Sequence, residues 1–162
     1  MENDVLQELY NRYYSSTLLY CLALCGERAA AEDLAADAFV KAYLSLPDAC
    51  PSFQYWLLRV CKNLWIDRLR RERRLMPLTV SPSMIGDPEE RFFKTERSRA
   101  LWRAIEALSP VDREIVTLHY YADLPLGEIA HQMGKNPAAI RQRLVRLRRK
   151  IKEEMEEQGY GV

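Results

Sequence analysis

A chain of 162 residues with 48% hydrophobic side chains has room for one large folded domain or two small ones, which excludes wholesale disorder. Only 6 glycines, among many Leu, Ala, Arg and Glu residues, point to an all-helical protein, and the longest apolar stretches, such as 17–25, fall short of a membrane span. The net charge of +1 hides a strong segregation: 8 acids and 3 bases in residues 1–50, 7 bases and 2 acids in 51–75, 7 bases and no acid in 136–152, then 4 acids and no base in 153–162. Two basic segments set in an acidic chain are the footprint of a protein that touches nucleic acid at two places.

The first predicted helix runs from about Asp4 to Leu24, with Val5, Leu6, Leu9, Tyr13, Tyr20 and Ala23 near helical spacing and Gly26 as its stop. A second spans about Ala30 to Leu46, with Leu34, Ala38 and Ala42 along one face. After Pro47 and Pro51, a third starts near Ser52 and runs to about Arg74, striped by Phe53, Leu57, Cys61, Leu64 and Leu69 with Trp56, Val60 and Trp65 beside them. Met76–Pro88, with Pro77, Pro82 and Pro88 among Ser, Thr and Gly, reads as a linker. Fully extended, it would reach about 40–45 Å.

A helix is expected to resume at about Pro88, carrying Leu101, Ile105 and Leu108. Ser109-Pro110 opens a short one, Leu124-Pro125-Leu126 starts another that ends at Gly134, and Asn136-Pro137 opens the last. The last is striped by Ile140, Leu144, Leu147, Ile151 and Met155. The fold class that follows is all-α. Two small helical domains, residues 1–75 and 96–157, are joined by a flexible linker at 76–95, and the C-terminal one is a helix-turn-helix.

That unit centres on Ile129, Ala130 and Met133, with Gly134 supplying a left-handed turn. The following helix leaves Arg141, Gln142, Val145 and Arg146 on its open face. Arg is suited to bidentate bonding with guanine and Gln to adenine. Arg143, Arg148, Arg149 and Lys150 are expected nearer phosphate. A merely solvated basic helix is the plain alternative, but the capped helix–Gly–helix pattern favours DNA. RNA binding would call for exposed aromatics near that helix, and few are there. On the third helix Arg59, Lys62, Arg68, Arg70, Arg71, Arg73 and Arg74 alternate with Tyr55, Trp56 and Trp65, a mixture suited to unstacked bases. There the alternative is that Trp56 and Trp65 belong to the core.

No metal constellation, Gly-rich phosphate loop or Cys/His pair close in sequence is present, so no catalytic residue, metal site, cofactor or small-molecule substrate is expected. Cys21, Cys25, Cys50 and Cys61 lie far in sequence from His119 and His131 and are expected to be reduced, buried thiols, with a redox or metal sensor as the alternative reading. The acidic N-terminus does not resemble a secretory signal, and the expected location is the cytoplasm.

Three segments together resemble the extracytoplasmic-function (ECF) class of bacterial RNA polymerase sigma factors, in the sigma-70 family. Ala31-Glu32-Asp33-Leu34 with 37–43 is similar to the family's polymerase-docking helix. Residues 56–63, with Asp67 and Arg70-Arg71, resemble the promoter-melting segment. Residues 108–114, 128–130 and 140–146 resemble the second domain.

The resemblance implies a promoter-specificity subunit that binds core RNA polymerase through the beta-prime clamp and the beta flap, recognises minus-thirty-five and minus-ten elements, and melts DNA. It also implies an anti-sigma partner, often membrane-linked. By position, Glu32, Asp33 and Asp37 would meet the clamp. Trp56, Arg59, Lys62, Asn63, Arg70 and Arg71, with the 47–52 loop, would serve the minus-ten element, and Arg141, Gln142, Val145, Arg146 and Arg149 the minus-thirty-five element. Three departures stand out: Ala36 where the family commonly has Gln, a 47–51 loop without the usual Phe and Gly, and Gln142 for a common Ser. The competing reading is a stand-alone dimeric helix-turn-helix regulator, which expects symmetric half-sites.

Overall fold

The computed structural model describes residues 3–45, 52–75 and 93–161. These residues form helices α1 (Asn3–Cys25), α2 (Arg28–Ser45), α3 (Phe53–Leu75), α4 (Glu96–Glu106), α5 (Pro110–Tyr120), α6 (Leu126–Met133) and α7 (Pro137–Glu157). The chain divides into two units, Met1–Gly86 and Asp87–Val162.

In the first unit α1, α2 and α3 all pack on one another. Ala31, Ala35, Ala38 and Ala42 fall at helical spacing on α2 and are fully buried. With no side chain beyond Cβ, they let a neighbouring backbone come close. Larger groups close the core: Leu18, Tyr20 and Cys21 from α1, Leu34 and Phe39 from α2, and Leu57, Leu58 and Cys61 from α3. An aromatic chain runs along one side, Tyr10 stacked on Tyr14 at 4.7 Å, Tyr10 edge-on to Phe39 at 5.0 Å, and Phe53 between Phe39 and Trp56 at 6.3 and 6.2 Å. Trp56 is therefore a half-buried end of that chain, neither fully core nor fully free.

Cys21 and Cys61 are buried free thiols and Cys25 is half-buried, while Cys50 lies outside the described residues. A hydrogen bond with Cys61, together with burial, pushes the Cys21 thiol well above its usual range. Burial pushes Cys25 up to about 12. A thiolate is disfavoured in the fold, so these two thiols favour the folded state fully below about pH 8.5 and progressively less as pH rises above it. Site-resolved alkylation at pH 8 should therefore leave Cys21 and Cys61 unmodified in the native protein and modify both in denaturant. Rapid native labelling of either would contradict the packing.

In the second unit Trp102 is the largest fully buried side chain. It stacks on Phe93 at 5.5 Å, meets Tyr121 edge-on at 5.8 Å, and donates its Nε1–H to Glu106 at 2.6 Å. Ile105, Ile115, Leu118, Leu124, Ile129 and Ile140 complete the core. The start of α4 differs from the sequence expectation. Pro88 lies outside the described residues, and 93–95 are not helical. The helix begins at Glu96 because Thr95 and Ser98 form a reciprocal capping box, the Ser98 amide donating to Thr95 Oγ1 at 3.0 Å and the Thr95 amide to Ser98 Oγ at 3.2 Å. The 76–88 linker and the 47–51 loop also lie outside the described residues.

Candidate nucleic-acid interface

The turn between α6 and α7 is built from three local devices. Gly134 takes φ 64°, ψ 35°, a left-handed conformation that costs a side-chain-bearing residue about 1–2 kcal/mol. Its amide and that of Lys135 return to carbonyls in the last turn of α6, the latter to Ala130 at 2.9 Å. Asn136 then caps α7, its Oδ1 accepting from the Ala138 amide at 2.8 Å, and Pro137 occupies the first turn with its fixed φ. Ile129 and Ala130 of α6 are buried, as are Ile140, Leu144, Leu147 and Met155 of α7, which fixes the rotation of the second helix.

That rotation leaves Arg141, Gln142, Val145, Arg146 and Arg149 exposed on one face, with Val145 53% accessible. All five sequence-predicted residues are thus brought together. The flanking cations divide. Arg143 is half-buried and pairs with Asp112 of α5 at 3.2 Å, while Lys150 is exposed on that same flank. Arg148 goes to the other flank, where its Nε donates to Tyr120 Oη and its guanidinium lies over the Tyr120 ring at 5.8 Å. Its Nη2 is 3.5 Å from His119 Nε2. Arg148 is therefore held against α5.

On α3 the exposed stripe at helical spacing carries Trp56, Arg59, Asn63, Asp67, Arg70 and Arg74. Asn63, Arg70 and Arg71 are exposed, Arg59 and Trp56 are half-buried on the stripe, and Lys62 lies half-buried to one side of it. Arg68 pairs with Glu72 at 3.4 Å. Ser52 tethers the start of the helix, its Oγ accepting from the Tyr55 amide at 3.3 Å.

On α2, Asp33, Ala36, Asp37, Val40 and Leu44 form one exposed stripe, acidic at its start and apolar at its end, with Leu44 73% accessible. Asp33 and Asp37 stand on it as expected. Glu32 sits beside it, half-exposed, and accepts from Arg28 Nε at 2.9 Å.

The sequence reading missed one feature. The second unit holds an apolar groove of about 740 Å³ between α4, α5 and α7. Leu101, Ile105, Val116, Ile151 and Met155 line it, with Tyr120 and Tyr121 beside them and Arg97, Arg148 and Lys152 among its polar lining. Its signal was present as the pairs Leu101/Ile105 and Ile151/Met155, each four residues apart. Spacing shows that such pairs face inward, but not that they stop short of filling the space between helices.

Fold and interface together define an all-helical, two-unit protein whose C-terminal unit is a helix-turn-helix. Residues 9–75 match Sigma-70 region 2 and residues 98–151 match Sigma-70, region 4. Among curated proteins, the ECF RNA polymerase sigma factor BldN of Streptomyces coelicolor is 28% identical over 86% of this chain and 56% of its own length. The probable RNA polymerase sigma factor RfaY of Xanthomonas campestris is 32% identical over 83% of this chain and 36% of its own. The chain thus spans about half or less of these two relatives. It spans 90% of the ECF RNA polymerase sigma factor SigW of Bacillus subtilis, at 25% identity over 95% of this chain.

In fold it is similar to the sigma factor RpoE in the co-crystal structure with the anti-sigma factor NepR from Bartonella quintana, with TM-score 0.68 at 20% identity over 96% of this chain and 98% of that one. The chain belongs to the ECF class of the sigma-70 family. Among the described residues, no helix is long and apolar enough to cross a membrane.

Proposed function

We propose that this protein is a promoter-specificity subunit that binds core RNA polymerase, recognises minus-thirty-five and minus-ten elements, and opens the duplex between polymerase contacts. The observation that carries the reading is the exposed α7 face of Arg141, Gln142, Val145, Arg146 and Arg149, fixed in rotation by the buried Ile140–Leu144–Leu147 side. Such a face fits a major groove, with Arg and Gln offering bidentate donors to base edges.

The first unit supplies the second anchor. Trp56, Arg59, Asn63 and Arg70 on one stripe of α3, with Lys62 and Arg71 flanking it, combine cationic and stacking groups suited to a strand leaving the duplex. Melting then needs no catalytic residue, because unstacked bases are trapped by binding free energy. The domain roles follow: residues 1–75 for clamp docking, minus-ten recognition and melting, 76–95 as linker, and 96–157 for minus-thirty-five recognition.

On α2 the acid-then-apolar stripe suits a basic helical partner, and we assign it, with Glu32, Asp33 and Asp37, to the beta-prime clamp. The apolar groove with Arg97, Arg148 and Lys152 suits an amphipathic segment such as the beta flap. An anti-sigma protein, membrane-linked in many family systems, would compete for these surfaces. The site of action would be the cytoplasm.

Reconstituted core polymerase with this chain should start transcripts at discrete sites on a genomic template pool, and core alone should not. Absence of promoter-dependent products, or a stable homodimer that ignores core in light scattering, would sink the reading in favour of a stand-alone regulator.

A further inference from the structure

The flank of α7 facing the start of α5 holds a small cavity of about 190 Å³, lined by Asp112, Arg143, Arg146, Leu147 and Lys150. Three cations therefore surround one carboxylate. Arg143, Arg146 and Lys150 lie at i, i+3 and i+7, a single stripe along one edge of the helix. Arg146 and Lys150 are exposed and have no ion-pair partner among the described residues. Arg143 differs: its Nη1 donates to Asp112 Oδ1 at 3.2 Å, and the two side chains are only 33% and 21% accessible.

Asp112 is itself fixed. It sits in the first turn of α5, where the helix dipole favours a carboxylate, and its amide donates to the Ser109 cap at 3.3 Å. A guanidinium tethered by one nitrogen keeps its other donors for a second oxygen. The surplus positive charge of the pocket calls for an anion, and Arg146 belongs also to the face assigned to base edges, which leaves Arg143 and Lys150 for the anion.

We propose that this pocket takes one backbone phosphate diester of DNA, and that Asp112 is a positioning residue that aims Arg143 at it. The inference rests on the DNA-binding reading of α7 and adds to it which side chains hold the backbone.

The sign of one substitution discriminates. Asp112→Asn makes the flank more positive, so charge alone would tighten DNA binding. Loss of a positioned guanidinium weakens it. Full-length protein on random-sequence duplex DNA, followed by fluorescence anisotropy over a salt series, reads both. Asp112→Asn should bind roughly three- to tenfold more weakly, and Asp112→Glu should recover at least half of that loss on a logarithmic scale.

Arg143→Gln and Lys150→Gln should each lower the slope of log affinity against log salt by about one. Arg103→Gln, an exposed cation on α4, should leave the slope unchanged. Equal or tighter binding by a folded Asp112→Asn, or an unchanged slope for Lys150→Gln, overturns the pocket. Lys150 is exposed, so its variant decides the matter even if the Asp112 variants fail to fold. Salt-independent or absent binding by the unaltered protein would overturn the DNA reading together with the pocket, whereas normal binding with unmoved variants overturns the pocket alone.

Discussion

Replacing Trp102 by alanine is expected to lower the unfolding midpoint of the C-terminal unit by roughly 15–30 °C and leave that of α1–α3 in place. The indole is 1% accessible, lies between Phe93 and Tyr121, and bonds Glu106 through Nε1. Truncating a buried Trp costs about 3–5 kcal/mol in lost burial and cavity formation. A unit of this size has about 4–11 kcal/mol in all. Trp102→Phe keeps the ring contacts and loses the hydrogen bond, so it should cost less, about 1–2 kcal/mol. Amide exchange followed residue by residue separates the units. Equal loss of protection in α1–α3 would show that the two do not unfold independently.

The second large effect concerns sequence reading. Arg141→Ala and Arg146→Ala are each expected to reduce discrimination between intact and scrambled minus-thirty-five elements by about 1–3 kcal/mol, or roughly five- to 150-fold. Run-off transcription by the reconstituted holoenzyme on paired templates measures this ratio. Both side chains are exposed and neither belongs to the core, so the fold should survive. Gln142→Ser should instead change which base is preferred, with total binding nearly unaltered. If the arginine variants weakened every template equally, the residues would be backbone contacts and the reading face would have to lie elsewhere on α7.

Much of this was legible from residue spacing. The seven helices of the described residues, the left-handed Gly134 and the Asn136–Pro137 opening all come from local chemistry, and local chemistry is what a sequence displays. Arg141, Gln142, Val145, Arg146 and Arg149 were legible for the same reason, since the apolar stripe on α7 fixes what must face outward.

What spacing does not display is tertiary. Arg148 looked like one more cation of a basic helix. Its placement depends on Tyr120, 28 residues earlier, which offers both a hydroxyl and a ring. Arg143 depends on Asp112, 31 residues away. The start of α4 was misjudged because a proline is a conspicuous helix opener, whereas a Thr–Ser box is a quieter one. The groove in the second unit was invisible because periodicity gives the direction of a side chain and says nothing of how completely its neighbours fill the space.

The helix α7 changes character along its length. Seven cations occupy 136–152, and Glu153, Glu154, Glu156 and Glu157 follow within the same rod of 21 residues, about 30 Å long. The backbone dipole runs the same way, positive at the Asn136 end and negative at the glutamate end. A polyanion lying beside this helix is therefore drawn toward one end and pushed from the other. On the proposed reading, the helix would settle against DNA leading with its N-terminal turns and be penalised when reversed. The charge boundary near Lys152 would act as a depth stop on the proposed DNA ligand. In the proposed complex it would decide which end of the helix enters the groove before a single base is read.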